Sequence, residues 1–124
     1  MISRDKILEI LSALQARVAN QQVRWNYSKS SGGISEFWIA FPTSTLYLRY
    51  DSPVAEFDNV EIEIKNDDEL TVGFMRIDEE DDNWIWVKQL FDEVERQVTG
   101  SDRILDEIEL AIRSNGEIGI QYDR

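Results

Sequence analysis

The sequence predicts a single α+β domain over residues 1–124, with an N-terminal helix, an antiparallel meander of about five strands, and two C-terminal helices packed on the sheet. Two observations predict this class. Apolar residues recur at helical spacing near both ends of the chain, and they alternate with a period of two between those ends. The connections between the alternating segments are short, which is typical of an antiparallel meander. A length of 124 residues is also that of one domain.

The first predicted helix runs from Ser3 to about Asn20, because its apolar residues are spaced for one helix face and Ser3 can act as the N-cap. The period then changes to two over residues 23–27, which predicts a first strand. The run SSGG at 30–33 supplies the small residues of a hairpin turn after it.

Four further strands are predicted where apolar residues alternate between short polar connections. Their runs are EFWIAF, TLYLRY, VEIEIK and LTVGFMRI, at residues 36–41, 45–50, 60–65 and 70–77. Pro53 prevents the second of these runs from continuing, because proline is not compatible with the interior of a central strand. In VEIEIK the apolar and charged residues separate cleanly, which predicts that Glu61 and Glu63 lie on a solvated sheet face.

Two helices are predicted after the last of these strands. An apolar stripe at helical spacing begins at Trp84 and ends at Gly100. A third helix begins near residue 101 or 102, and the run SNG at 114–116 is a good C-terminal stop. The closing run EIGIQY, residues 117–122, alternates weakly and is compatible with either a short edge strand or an ordered tail.

The distribution of the helices over the two sheet faces has two interpretations. Both alternating sets in the runs at 36–41 and 70–77 are largely apolar, which is typical of strands covered on both faces, so the helices can divide between them. Alternatively the helices gather on one face, and the second face, with Trp38, Tyr47 and Met75, meets another copy of the chain in a homodimer.

The composition argues against several classes of function. The chain has no cysteine and no histidine, so it lacks thiolate zinc ligands, a cysteine nucleophile and the commonest general base near neutral pH. We therefore expect no enzyme activity and no cofactor. Charged residues interrupt the apolar start, and no later apolar run is long enough to span a bilayer, which predicts a cytoplasmic protein that does not associate with membranes.

Most of the negative charge lies in residues 56–82, which carry two basic and twelve acidic side chains, a net charge of −10 within a total of −12. Such a segment repels phosphate backbones and attracts basic surfaces, so direct nucleic-acid binding is disfavoured and a basic protein partner is expected. We expect its acidic residues to form one patch beside two apolar residues. The predicted partner-binding residues are Glu61, Glu63, Asp67, Asp68, Glu69, Asp78, Glu79, Glu80, Asp81, Asp82, Ile85 and Trp86.

The acidic run leads directly into the sequence WIW at 84–86, and this junction has two predicted roles. Asp81 or Asp82 caps the second helix, whose dipole favours acids near its start. Trp84 begins the core stripe and is expected to be buried. Trp86 lies off the stripe and is expected to remain partly exposed, as an aromatic anchor for the partner.

The sequence thus predicts a non-catalytic, acidic protein-binding module of adaptor, immunity or chaperone-like type that engages a basic partner surface. The alternative is a nucleic-acid mimic that inhibits a DNA- or RNA-binding protein, because alternate acids on a strand repeat at nearly the spacing of phosphates. An enzyme with carboxylate chemistry is a third hypothesis. A calcium or magnesium site at Asp78, Glu80 and Asp82 also stays open, although the spacing does not match an EF-hand.

Overall fold

The computed structural model describes residues 1–30, 33–52 and 57–122, and its elements confirm the predicted order. The helices are α1 (Arg4–Ala19), α2 (Trp84–Thr99) and α3 (Ser101–Arg113). The strands are β1 (Asn26–Ser30), β2 (Gly33–Phe41), β3 (Ser44–Asp51), β4 (Asn59–Asn66) and β5 (Thr71–Asp78). The centre of the predicted SSGG turn and the predicted strand stop at Pro53 lie outside the described residues.

The five strands form one antiparallel sheet in the order β1-β2-β3-β4-β5, which is the predicted meander. The first strand begins at Asn26, later than predicted, so Val23 and Trp25 lie before it. Both of these side chains nevertheless pack against the core. Residues 117–122, all within the described part of the chain, form no strand, so the edge-strand alternative for the closing run is wrong.

One face of the sheet forms the core because side chains alternate along each strand. A row of cross-strand partners crosses β2 to β5 on this face, and all its members are buried: Phe37, Leu48, Ile62 and Met75. Both long helices contribute to the same core, through Ile7, Leu11, Val18, Val87, Leu90, Phe91 and Val94. The ring of Phe91 meets that of Phe37 edge to face, with 5.4 Å between centroids. Helices α1 and α2 therefore gather on one face of the sheet.

Helices α1 and α2 run in the same direction across the sheet. Near their starts, Arg4 forms an ion pair with Asp81, which lies just before α2. Near their ends, Gln97 Nε2 donates a hydrogen bond to the carbonyl of Val18 at 2.7 Å. The two contacts join corresponding ends of the helices and fix their relative orientation.

The N-terminal segment covers part of the free edge of β5. The N–H of Ile2 donates to the carbonyl of Val72 at 2.7 Å, and the Arg4 guanidinium donates to the carbonyl of Arg76 at 3.3 Å. Gly73 permits this close approach, because a Cβ atom there would lie 3.3 Å from the Cβ atom of Ile2. Edge carbonyls are thereby occupied within the chain, which disfavours pairing with a foreign strand.

Met75 was predicted on the open face of the sheet, and this assignment is wrong. The register places Met75 opposite Ile62, and its side chain is 4% exposed in the core. Phe74 points to the open face instead and is 44% exposed. Alternation could not decide between the two sets of side chains in this strand, because both are apolar.

The prediction that both C-terminal helices pack on the sheet is correct for α2 and wrong for α3. All residues of α3 are described, and none of them is buried. Gly100 joins the two helices in the left-handed conformation, with φ of 65°, which glycine adopts without strain. Helix α3 therefore leaves the domain at the end of α2 and presents its side chains to solvent.

We predict that Phe37→Ala lowers the free energy of unfolding by about 3–5 kcal/mol, because it removes a fully buried ring and leaves a cavity against Phe91. Phe74→Ala is the matched control, since it removes the same ring from the open face and should cost roughly 1 kcal/mol. Urea denaturation of both variants makes the comparison. Equal losses would contradict the assignment of the two sheet faces.

Candidate functional site

The acidic residues predicted to form one patch lie in three separate places. Glu61 and Glu63 are in β4, residues 67–69 form the turn between β4 and β5, and the run at 78–82 follows β5. Because β5 is eight residues long, the turn and the run lie at its opposite ends, about 23 Å apart. The prediction of one acidic patch is therefore wrong.

Glu61 and Glu63 lie on the open face of the sheet, where both are held in ion pairs. Arg76 contacts Glu61 at 2.7 Å, and Arg49 contacts Glu63 at 2.9 Å. Partial burial alone would raise the pKa of Glu63, but hydrogen bonds from Thr71 and Arg49 outweigh it and hold this pKa below its ordinary value. The charges of these two acids are thus largely balanced within the sheet.

The aromatic residues of the open face are also engaged by neighbouring side chains. Trp38 and Tyr47 lie on this face as predicted, with 6.1 Å between ring centroids. The Arg49 guanidinium and the Lys65 ammonium lie 5.1 and 5.3 Å from the Tyr47 centroid. Arg49 also contacts Glu36 at 2.7 Å. The face therefore presents a balanced set of charges around partly buried rings.

The acidic run at 78–82 forms the turn that leads into α2. Asp81 accepts a hydrogen bond from the backbone N–H of Asn83 at 2.8 Å and pairs with Arg4. The Asn83 N–H is the main reason that the pKa of Asp81 lies below its ordinary value. Asn83 is the N-cap residue, so the prediction that Asp81 or Asp82 caps the helix is wrong by one to two positions. The acid stabilises the preceding turn instead.

The expectation that Trp84 is buried is wrong, because it is only partly buried against the core, whereas Trp86 is partly exposed as predicted and also packs against the core. Trp86 is further held by a hydrogen bond from its Nε1 to Asn83 Oδ1 at 2.9 Å. Trp86 lies one helical turn before the buried Leu90, which places it at the border of the apolar stripe. Ile85 is the apolar residue that points to solvent, with 71% of its surface exposed.

A polar cluster joins the end of β3 to Asp58, the residue before β4. The Tyr50 hydroxyl and the Ser52 hydroxyl donate to the two carboxylate oxygens of Asp58 at 2.6 and 2.5 Å. The hydrogen bond to Asp58 raises the pKa of Tyr50 to about 12, so the phenol stays protonated near neutral pH. Hydrogen bonds from Ser52 and Tyr50 hold the pKa of Asp58 below its ordinary value. Neither group has a pKa suited to general acid–base catalysis near pH 7.

The described residues provide no other clear chemical centre. Among them, no three acidic side chains are grouped so that they could hold a metal ion. No helix in the described ranges is long and apolar enough to cross a membrane.

Helix α3 is the surface that sequence reasoning assigned to the core. Apart from Leu110, which lies on the far side of the helix, its apolar residues lie within about 60° of Ile108 around the helix axis, and all are exposed: Ile104, Leu105, Ile108, Ala111 and Ile112. Beyond the helix, Ile118, Ile120 and Tyr122 are exposed as well. An amphipathic stripe has the same spacing whether it covers its own sheet or another protein, so the pattern alone could not separate the two cases.

Comparison of the chain with models of protein families, with curated proteins and with solved structures finds no significant match.

We predict that Trp86→Ala lowers the free energy of unfolding by about 2 kcal/mol, less than the 3–5 kcal/mol typical of a fully buried aromatic residue. It removes both the contact with the core and the hydrogen bond to Asn83. Ile85→Ala, one position away, should change the free energy of unfolding by about 0.5 kcal/mol or less, because Ile85 points to solvent. Thermal melts of the two variants test this, and a larger loss for Ile85→Ala would contradict the helix orientation.

We predict that Asp81→Asn destabilises the protein near pH 7 and that this deficit disappears as the pH falls below about 4. The pKa of Asp81 is lowered in the folded state, so the stability it contributes is present above the ordinary aspartate pKa and is lost as the pH falls through the folded value. Denaturation of Asp81→Asn and the wild type between pH 7 and pH 3 measures this contribution to stability. Asp82→Asn is the control, because Asp82 is an exposed neighbouring acid. A deficit independent of pH would refute an ionic role for Asp81.

Proposed function

We propose that the chain is a non-catalytic, cytoplasmic protein-binding module that engages a basic partner through α3. The observation that carries the proposal is that an amphipathic helix within a folded domain leaves its whole apolar face uncovered. An uncovered contiguous apolar face of this kind marks a binding surface. Amphipathic helices are commonly bound in apolar grooves, where residues one helical turn apart enter neighbouring pockets.

The charges beside the apolar face of α3 support a basic partner. Glu107 lies on one border, about 100° from Ile108, and Glu109 and Asp102 lie on the other, about 100° and 120° away. Of the two arginines of the helix, Arg103 lies on its far side, and Arg113 contacts Glu109 at 2.7 Å, so Glu107 and Asp102 carry most of the negative charge of the borders. An apolar floor with basic rims is the groove that complements this arrangement.

A second copy of the chain is a poor partner for this surface. Either a parallel or an antiparallel pairing of two α3 helices brings the acidic borders against each other, and the net charge of −12 adds to the repulsion. The same acids disfavour the phosphates of a nucleic acid and the anionic head groups of a membrane. The alternative of a nucleic-acid mimic needs a row of unpaired acids, whereas Glu61 and Glu63 are in ion pairs.

The test is to purify the tagged chain from its native cell in three forms: wild type, Ile108→Glu and Leu110→Glu. Both substitutions introduce the same charge at an exposed apolar residue of α3, but Leu110 lies on the far side of the helix. We expect one basic protein to copurify with the wild type and with Leu110→Glu, and to be lost from Ile108→Glu. The affinity of the purified partner for Ile108→Glu should be at least about tenfold weaker.

Two further measurements make the result specific. The free energy of unfolding should change by about 0.5 kcal/mol or less in both variants, because α3 buries no residue in its own domain. Binding should weaken when ionic strength rises from about 0.1 M to about 1 M, since the Debye length falls from about 10 Å to about 3 Å. Equal binding by Ile108→Glu, or an acidic partner, would reject the proposal.

A further inference from the structure

An apolar groove lies beside the N-terminal half of α1. Here the core face of the sheet extends past the part that the helices cover. The volume of the groove is about 370 Å³, within the range of ligand pockets. The lining residues come from the N-terminal segment, α1 and four strands: Ile2, Ile10, Phe41, Ser44, Leu46, Ile64 and Val72. Apart from Ser44, all of these side chains are hydrocarbon.

The groove is open to solvent because the core is incompletely covered at this end. Ile62, in the middle of β4, is 0% exposed, whereas Ile64, two residues further along the same face of the strand, is 8% exposed. Beyond it, Phe41 is 51% exposed and Ile10 is 37% exposed. Leu70, next to the groove strands, is 62% exposed. Phe41 and Ile10 line the same groove, unlike isolated surface residues.

One border of the groove is acidic. The turn of residues 67–69 joins the two strands that contribute Ile64 and Val72, so its three acids lie at the end of the groove. The turn is held by Asn66, whose Oδ1 accepts from the N–H groups of Asp68 and Leu70 at 3.0 Å each. The acidic border is thus fixed to the same strands that form the groove.

We propose that this groove binds a basic amphipathic helix, with the apolar face of the helix on the groove residues and its basic residues beside the acidic turn. The charge of the turn decides between occupants. Helix α3 of a second copy has acidic borders, and a fatty acid carries a carboxylate, so the turn would repel both.

The groove is separate from α3, and the proposal does not rest on the function proposed for that helix. The groove adjoins Ile2 and Ile10 near the start of α1, whereas α3 leaves the domain after the contact between Gln97 and Val18 near the end of α1. Val18 lies eight residues beyond Ile10, the groove residue of α1, which is about 12 Å along the helix. Either surface can be tested while the other is disabled.

The test uses the whole chain carrying Ile108→Glu, which disables α3. The protein has no cysteine, so Thr43→Cys, in the exposed β2–β3 turn beside the groove, gives a single site for an environment-sensitive fluorophore. Ser12→Cys is the control, since it lies on the side of α1 about 200° from Ile10. The probe is a synthetic helix with a leucine face bordered by lysines. A peptide of the same composition with scrambled spacing is its control.

We expect the amphipathic peptide to shift the fluorescence of the label at 43 and to leave the label at 12 unchanged. Phe41→Glu should weaken this binding by about tenfold or more, because it places a charge on the apolar floor. The triple change Asp67→Asn, Asp68→Asn and Glu69→Gln should also weaken it and should remove most of its salt dependence. Circular dichroism checks that these variants stay folded.

The competing occupants give different results, and each would overturn the proposal. A shift that grows with protein concentration in the absence of peptide would assign the groove to a second copy. Stronger binding of a fatty acid than of the peptide would assign it to an acyl chain. An unchanged label at 43, or equal binding of the scrambled peptide, would show that no helix occupies the groove. Loss of partner binding through α3 affects none of these outcomes.

Discussion

The burial of one sheet face under two parallel helices is the interaction on which the rest of the structure depends. The row that contains Phe37 and Ile62 lies at the centre of this contact, and Phe91 from α2 closes over it. Strand side chains alternate, so covering one face leaves the second face without cover of its own. The second face must then satisfy its polar groups locally or pack against another molecule.

The charged groups of the open face are paired locally. Arg49 lies between Glu36 and Glu63, and together with Lys65 it also covers the ring of Tyr47. Individual ion pairs on such a surface contribute little to stability, but together they cancel the charge that the sequence of β4 suggests. Other acids lie at the β4–β5 turn, in the run at 78–82 and on the borders of α3, where Glu109 contacts Arg113 at 2.7 Å. Local pairing therefore determines which acids remain available to the basic partner that we propose.

The sequence allowed the course of the chain to be predicted, because the period of apolar residues depends on local geometry. The alternation of VEIEIK and the helical stripe ending at Gly100 each specify one element without reference to the rest of the fold. The faces and the sites were harder to predict. Met75 belongs to a strand in which both sets are apolar, and the acids before and after β5 are close in sequence but separated by the length of a strand. The apolar stripe of α3 has the same spacing whether it packs on its own sheet or on another protein. The candidate site could therefore be located only from the structure.

Gly100 separates the part of the chain that forms the core from α3, which is exposed. Because α3 contributes no buried residue, its apolar positions are free from the packing constraints that hold the core in place. If α3 is the binding surface that we propose, substitutions there can alter which protein is recognised while the domain keeps its stability, so specificity can evolve separately from folding. A module built in this way could be retargeted by exchanging one helix of 13 residues, with the sheet and its two covering helices retained as a constant scaffold.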